Sequence, residues 1–140
     1  MGLQDRDTLT VLVVTYNHED YIAEALESIH LQEDVTIDRL IISDDHSTDA
    51  TIEVVRETIA RLGMAAEVRT SDIQRGITPH YKELFDELDT DLVAILEGDD
   101  YWFGAKKLKQ QMELLRRYPH ASACTLAYML YHQERDLLEG

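Results

Sequence analysis

The chain has 140 residues, 44% of them hydrophobic and 29% charged, enough for one domain with its own core and too little for two ordinary ones. That balance excludes a disordered chain, and no apolar stretch approaches the length of a bilayer span. Asp5, Arg6 and Asp7 stand where a secretory signal would have a basic and then an apolar region; with one cysteine, Cys124, and hence no internal disulfide, the composition predicts a cytoplasmic protein.

The formal charge of −15 argues against capture of nucleic acid, which needs a surplus of Lys and Arg. The charge is unevenly spread. Residues 1–103 carry 24 acidic and 7 basic side chains, whereas residues 104–140 carry 4 and 6. Lys106, Lys107, Lys109, Arg116 and Arg117 form this basic region. It reads either as a solvated helix face or as a rim for a diphosphate or for the anionic inner face of a membrane.

In chain order, residues 8–14 are a β-branched apolar run that predicts a buried strand. Asn17 or Asp20 is placed to cap the next helix, whose face is Ile22, Ala25, Leu26 and Ile29. Residues 36–43 predict a second strand, running into a loop of capping residues, Asp44 to Asp49. The following helix presents Ile52, Val55, Ile59 and Leu62 and stops at Gly63. Residues 65–70 are a weaker strand. Thr78-Pro79 starts a third helix with Tyr81, Leu84, Phe85 and Leu88 on one face. Residues 91–96 predict the fourth strand, residues 106–117 the fourth helix, ended by Pro119, and residues 121–131 a fifth strand of poor alternation.

Strands alternating with helices, three of them continuously apolar, predict an α/β fold: a three-layer α/β/α sandwich around a mostly parallel sheet. In such sheets ligands bind beyond the carboxyl ends of the strands, near the point where strand order reverses. The polar loops Tyr16-Asn17-His18, Asp44-Asp45-His46 and Glu97-Gly98-Asp99-Asp100 all fall at strand carboxyl ends, so they should converge on one rim.

The last of these loops is the most informative. Three carboxylates after a buried strand repel one another and cannot be desolvated cheaply as bare anions. A hard divalent ion, Mg²⁺ or Mn²⁺, is the natural partner for such oxygen donors and is often shared with a phosphate-bearing substrate. Asp99, Glu97 and Asp100 are the candidate ligands; the alternative is a solvated, helix-capping loop. In Asp44-Asp45 either one carboxylate accepts from the N3–H of a uracil ring or the pair serves as an N-cap or Asx turn. Trp102 reads as a pocket wall or as a core plug under the loop. The histidines lack zinc spacing, and His30, His80, His120 and His132 read as surface or helix-end positions. Cys124 reads as a small buried hydrophobe. There is no P-loop and no dinucleotide fingerprint, and no nucleophile elbow.

Four ordered blocks over residues 11 to about 111 then carry a resemblance. Val11 to Asn17 with Glu19-Asp20-Tyr21-Ile22 and Ala25 to Ile29, then Ile41 to Thr51, then Gly76-Ile77-Thr78 with Tyr81, and finally Leu96 to Trp102 with Lys107, Leu108 and Gln111, resemble the family 2 inverting glycosyltransferases. The resemblance implies a GT-A fold, a nucleotide-diphosphate-sugar donor such as a UDP-sugar, a divalent metal, and a glycan or lipid-linked acceptor. It further implies that Thr15, Tyr16, Asn17, Asp44 and Gly76 belong to the donor site, that Asp45 contacts the base, and that Glu97 stands where the family usually has the first Asp of its D-x-D turn. Asp99 matches the metal-binding Asp. Members carry an acceptor half and an acidic general base well beyond the metal turn. Glu134, Asp136 and Glu139 follow that turn too closely to be the base, which is expected beyond Gly140. The chain therefore reads as the donor-binding half of an enzyme, or as a non-catalytic nucleotide-sugar module. A phospho-receiver domain would need an Asp ending the third strand, where residues 65–70 have none.

Overall fold

The structure, a computed structural model, describes residues 7–132 and 136–139. Asp5, Arg6, Glu134 and Gly140 lie outside the described residues, and so does the general base expected beyond Gly140. Four parallel strands, β1 (Leu9–Thr15), β2 (Arg39–Asp44), β3 (Glu67–Arg69) and β4 (Leu92–Glu97), form one sheet in the order β3-β2-β1-β4. They alternate with helices α1 (Ile22–His30), α2 (Thr51–Leu62), α3 (Ile77–Asp86) and α4 (Lys107–Arg117). The chain steps outward from β1 to β3 and then returns to place β4 on the other side of β1. Strand order thus reverses at β1, the position where parallel sheets bind ligands.

Alternate residues of β1 feed two cores. Leu9, Val11 and Val13 pack with Leu40 and Ile42 of β2, the α1 stripe Ile22, Ala25, Leu26 and Ile29, Val55 of α2 and Leu108 of α4. Leu12 points to the opposite face with Ile41, where Leu84 of α3 covers both. Helices on both faces make the expected three layers. Each fully buried Leu or Ile contributes about 1.5–3 kcal/mol, so the face covered by α1, α2 and α4 holds most of the apolar stabilisation.

Local signals decide where elements stop. Gly63 adopts φ 65° and its N–H donates to the Ala60 carbonyl, ending α2 as left-handed glycines do. Gly76, at φ 83°, turns the chain into α3.

Two expectations fail. Neither Asn17 nor Asp20 caps α1; the His18 carbonyl accepts from the N–H groups of Tyr21 and Ile22 instead. The strand expected over residues 121–131 is absent from the sheet. Only Leu130–His132 is extended, as β5, and it pairs antiparallel with β6 (Leu137–Glu139) in a separate two-stranded ribbon. Asp136, just before β6, accepts from the Tyr131 hydroxyl at 2.9 Å. The apolar residues of this region, including Leu126 and Tyr128, are exposed, so no buried face fixes their register.

Candidate functional site

The register of β1 gathers the three polar loops. Val14 lies opposite Glu97, and Thr15 lies opposite Asp44. The N–H of Asp45 donates to the Thr15 carbonyl and that of Gly98 to the Val14 carbonyl, each at 2.9 Å. Neighbouring strands stand about 4.8 Å apart, so the ends of β2, β1 and β4 span about 10 Å in one row.

The first two loops are laced together. Asn17 takes the left-handed conformation at φ 53°, which Asn tolerates better than most residues. Its N–H donates to Ser47 Oγ at 2.9 Å, and its side-chain carbonyl accepts from the N–H of Thr48 at 2.8 Å. The His18 N–H donates to Thr51 Oγ1 at 2.9 Å. Glu19 donates through its N–H to Asp49 at 3.2 Å, and its carboxylate accepts from the Ala50 N–H at 2.7 Å. Ala50 precedes α2 and has no capping side chain. Asp49 accepts from the N–H of Thr51, the first helical residue, at 3.0 Å, and Glu19 adds a second carboxylate from another loop, where negative charge suits the helix dipole.

Asp44 holds its own loop in an N-cap-like turn: its carboxylate accepts from both the N–H and the hydroxyl of Ser47, three residues on. Asp45 does something different. Its two oxygens accept separately from the N–H groups of Arg75 and Gly76, at 2.8 and 2.9 Å, tying β2 to the loop before α3. Both carboxylates are buried. Beside them a cavity of about 340 Å³ opens between the end of β2 and α3, lined by Ser43, Asp44, Arg69, Arg75, His80 and Glu83 among others. A larger cleft, about 490 Å³, is lined by Asp7, Asp34 and Lys109. It lies between the residues that precede β1 and β2 and helix α4, away from the carboxylate loops.

Of the two readings of His80, surface or helix end, the second holds: it lies in the first turn of α3, but it is buried. It is 3% exposed, its Nε2 meets Ser43 Oγ at 2.7 Å, and its Nδ1 has no hydrogen-bond partner among the described residues. Burial holds its pKa below the ordinary histidine value, against the pull of Asp45 and Asp44 and with a contribution from Arg75.

At the third loop, carboxylate oxygens of Glu97, Asp99 and Asp100 lie within 4.8 Å of one another. Partial desolvation, and then the charge of Asp99, push the Asp100 carboxyl above its ordinary value, while His18 pulls the other way. Burial and the neighbouring Glu97 charge raise the Tyr81 phenol to about 12. An all-oxygen, mutually repelling donor set fits a hard divalent cation. Gly98 makes the turn possible. A Cβ there would stand 2.7 Å from Thr15 Oγ1 and 2.8 Å from His18 Nδ1, closer than real side chains approach.

Trp102 packs against the larger core, with Lys107 Nζ 3.8 Å above its ring, and its main-chain N–H donates to Ser28 Oγ at 3.0 Å. These contacts are those of the core plug and give a pocket-wall role no support. Burial over the indole lowers the Lys107 pKa to about 8. Lys109 pairs with Asp34 at 3.3 Å. The basic stripe on α4 is therefore partly engaged inside the fold, with Lys106 and Arg117 its most open members.

The model of glycosyl transferase family 2 matches residues 10–135. The chain belongs to glycosyl transferase family 2. It is 32% identical over 116 residues to an uncharacterized protein of Mycobacterium tuberculosis, covering 83% of this chain and 34% of that protein. To EpsE of Bacillus subtilis it is 26% identical over 112 residues, 80% of this chain and 40% of the relative. The chain thus spans about a third of the length of the first of these. Among solved structures it is similar to the mannosyltransferase PcManGT of Pyrobaculum calidifontis, determined with GDP-Man and Mn²⁺, at 27% identity and a TM-score of 0.64, over 71% of this chain and 30% of that one. It is also similar to S. aureus TarS in complex with UDP, at 25% identity and a TM-score of 0.67, over 80% and 33% of the two chains. The fold is accordingly the GT-A fold of these glycosyltransferases.

Within this family member, three contributors to the rim were not legible as site residues. His18, Glu19 and His80 each act across a loop or an element boundary, to Thr15 and Asp99, to Ala50, and to Ser43. No spacing rule along the chain reports such contacts. The available signal for His18 was only its place directly after a buried strand. Among the described residues no helix is long and apolar enough to cross a membrane.

Proposed function

We propose that these 140 residues bind the nucleotide-diphosphate-sugar donor of a metal-dependent, inverting glycosyltransferase, with a UDP-sugar as the donor class. The observation that carries this is the juxtaposition at β1: an acidic turn of three crowded carboxylates on one side and the buried Asp45 beside a cavity on the other, joined by register. The similar structures, one with GDP-Man and Mn²⁺ and one with UDP, support a nucleotide-diphosphate donor, and the second supports uracil as its base.

In this reading Asp99 is the principal ligand of the divalent ion, with Glu97 and Asp100 completing the acidic set. The ion, when bound, neutralises charge that builds on the leaving diphosphate. Thr15, Tyr16 and Asn17 form the floor at the nucleoside end, with Asn17 acting through its bond to Thr48 rather than as a free contact. Asp45 and Gly76 fix the loop over the base, each Asp45 oxygen keeping a lone pair for an N–H of the ring. Tyr16, 37% exposed at the rim, offers an aromatic face for stacking. The base that deprotonates the acceptor hydroxyl, expected beyond Gly140, is assigned to the additional length that the relatives carry.

Calorimetric titration of the chain with UDP, with and without Mn²⁺, beside a donor-hydrolysis assay, tests this. Metal-dependent UDP binding is the expected result, and no binding of UDP in either condition would overturn the reading. Binding without any turnover assigns the 140 residues donor capture alone.

A further inference from the structure

We propose that His18 supplies a nitrogen ligand to the divalent ion held by Asp99, giving the site a mixed oxygen and nitrogen donor set; this rests on the metal reading above. The residue is fixed on three sides. Its N–H donates to Thr51 Oγ1, its carbonyl starts α1 by accepting from Tyr21 and Ile22, and its Nδ1 stands 3.0 Å from Thr15 Oγ1. Only Nε2 remains, and it faces Asp99 Oδ2 at 3.8 Å.

That distance is too long for a hydrogen bond. It suits two donors on one ion, since ligands each about 2.0–2.2 Å from a metal stand about 3–4 Å apart. With Nδ1–H donating to the Thr15 hydroxyl oxygen, Nε2 keeps its lone pair for the ion. Metal-binding histidines are oriented in this way, by a partner on the other ring nitrogen. The His18 and Asp99 side chains are 21% and 48% exposed, so an ion can enter from solvent. Gly98 is an independent sign that the two loops are built to meet: any larger residue would strike both Thr15 and the imidazole. An imidazole donor also predicts a preference, because nitrogen ligands favour Mn²⁺ over the harder Mg²⁺.

Pulsed electron paramagnetic resonance on the chain with Mn²⁺ and UDP provides the test, read as ¹⁴N modulation of the echo. The wild-type chain should show imidazole nitrogen coupling. His18→Gln, which keeps the side-chain length and polarity, should abolish it and weaken Mn²⁺ binding about 10–100-fold, with a smaller loss for Mg²⁺ and an unchanged unfolding midpoint. Asp99→Asn separates the two levels of the argument. If Mn²⁺ binds, Asp99→Asn abolishes that binding, and the wild type still shows no nitrogen coupling, the assignment of His18 is overturned while the metal reading stands. Coupling that persists in His18→Gln also overturns it. If the wild-type chain with UDP binds no Mn²⁺, both fall together.

Discussion

The ends of β1 and β2 and the end of β4 face the same rim but are built differently. β1 and β2 are interior strands, with Val11, Leu12, Val13, Ile41 and Ile42 fully buried. The loops that follow them are laced by Asn17, His18 and Glu19 onto Ser47 through Thr51. β4 is an edge strand, with Val93 37% and Ile95 42% exposed. Its turn is held by backbone bonds from Gly98 to Val14 and from Asp100 to Glu97, and its carboxylates crowd one another. The difference teaches a division of labour. A nucleoside presents fixed donors and acceptors, so its end of the site gains from rigidity formed in advance. A cation brings its own compensation, so its end keeps charge that the protein alone leaves unbalanced.

The largest expected effect would break that comparison at the core. Leu12→Ala or Ile41→Ala should cost about 2–5 kcal/mol in denaturant unfolding, against about 0.5 kcal/mol for Ile95→Ala at the exposed edge. Equal losses would mean that β4 contributes as much to the fold as β1. Next, Asp99→Asn should abolish Mn²⁺ binding and weaken UDP binding in the presence of Mn²⁺ by more than about 10–100-fold, the loss that outer-shell partners of a metal alone produce. UDP affinity measured without metal should stay where it was, and a drop there instead would place Asp99 on the nucleotide rather than on the ion.

Gly98→Ala tests the joint between the two regions. Its Cβ meets Thr15 and His18 within 2.9 Å, so overpacking should cost about 1–3 kcal/mol and weaken metal-dependent binding as well; a neutral outcome would show that the turn can drift off β1. Glu19→Ala removes the acceptor of the Ala50 N–H while Asp49 still caps Thr51, so it should cost about 1 kcal/mol, seen as a lower unfolding midpoint with Mn²⁺ affinity retained.

The smallest effect is a pH dependence. His80 titrates below the ordinary value of 6.5 because it is buried, and the groups facing it are Asp44, Asp45 and Arg75 at the rim, with Ser43 on β2. Between the folded and unfolded values the unfolded chain binds more protons, so this contribution is full above about 6.5 and is lost as pH falls toward the folded value. His80→Gln should flatten the fall in unfolding midpoint between about pH 7 and pH 5, and an unchanged slope would assign the acid sensitivity elsewhere.

Much of the fold was legible along the chain. The period of apolar residues in α1, Gly63, and the continuous runs of β1 and β2 each act through neighbours a few residues away. The region from 121 to 131 was not legible, because its apolar residues have no buried face to fix them and its only pairing among the described residues is with Leu137–Glu139. Trp102 was ambiguous for a related reason. Adjacency to three acids says nothing about which way an indole turns, and here packing against the larger core, with Lys107 over the ring, decides it.

The sequence by itself determined the alternation of strands and helices, the family, and the clustering of acids after β4. These are properties of local periodicity, turn chemistry and charge, all carried within short stretches of chain. Only the tertiary structure decided that Asp45 is clasped by Arg75 and Gly76, that Asn17 is spent on Thr48, and that His80 is buried against Ser43. It alone brought His18 to Asp99 across 81 positions of sequence. Such contacts depend on strand register, because a sheet aligns the ends of strands that are distant in the chain, and nothing within either loop encodes what the other places opposite it.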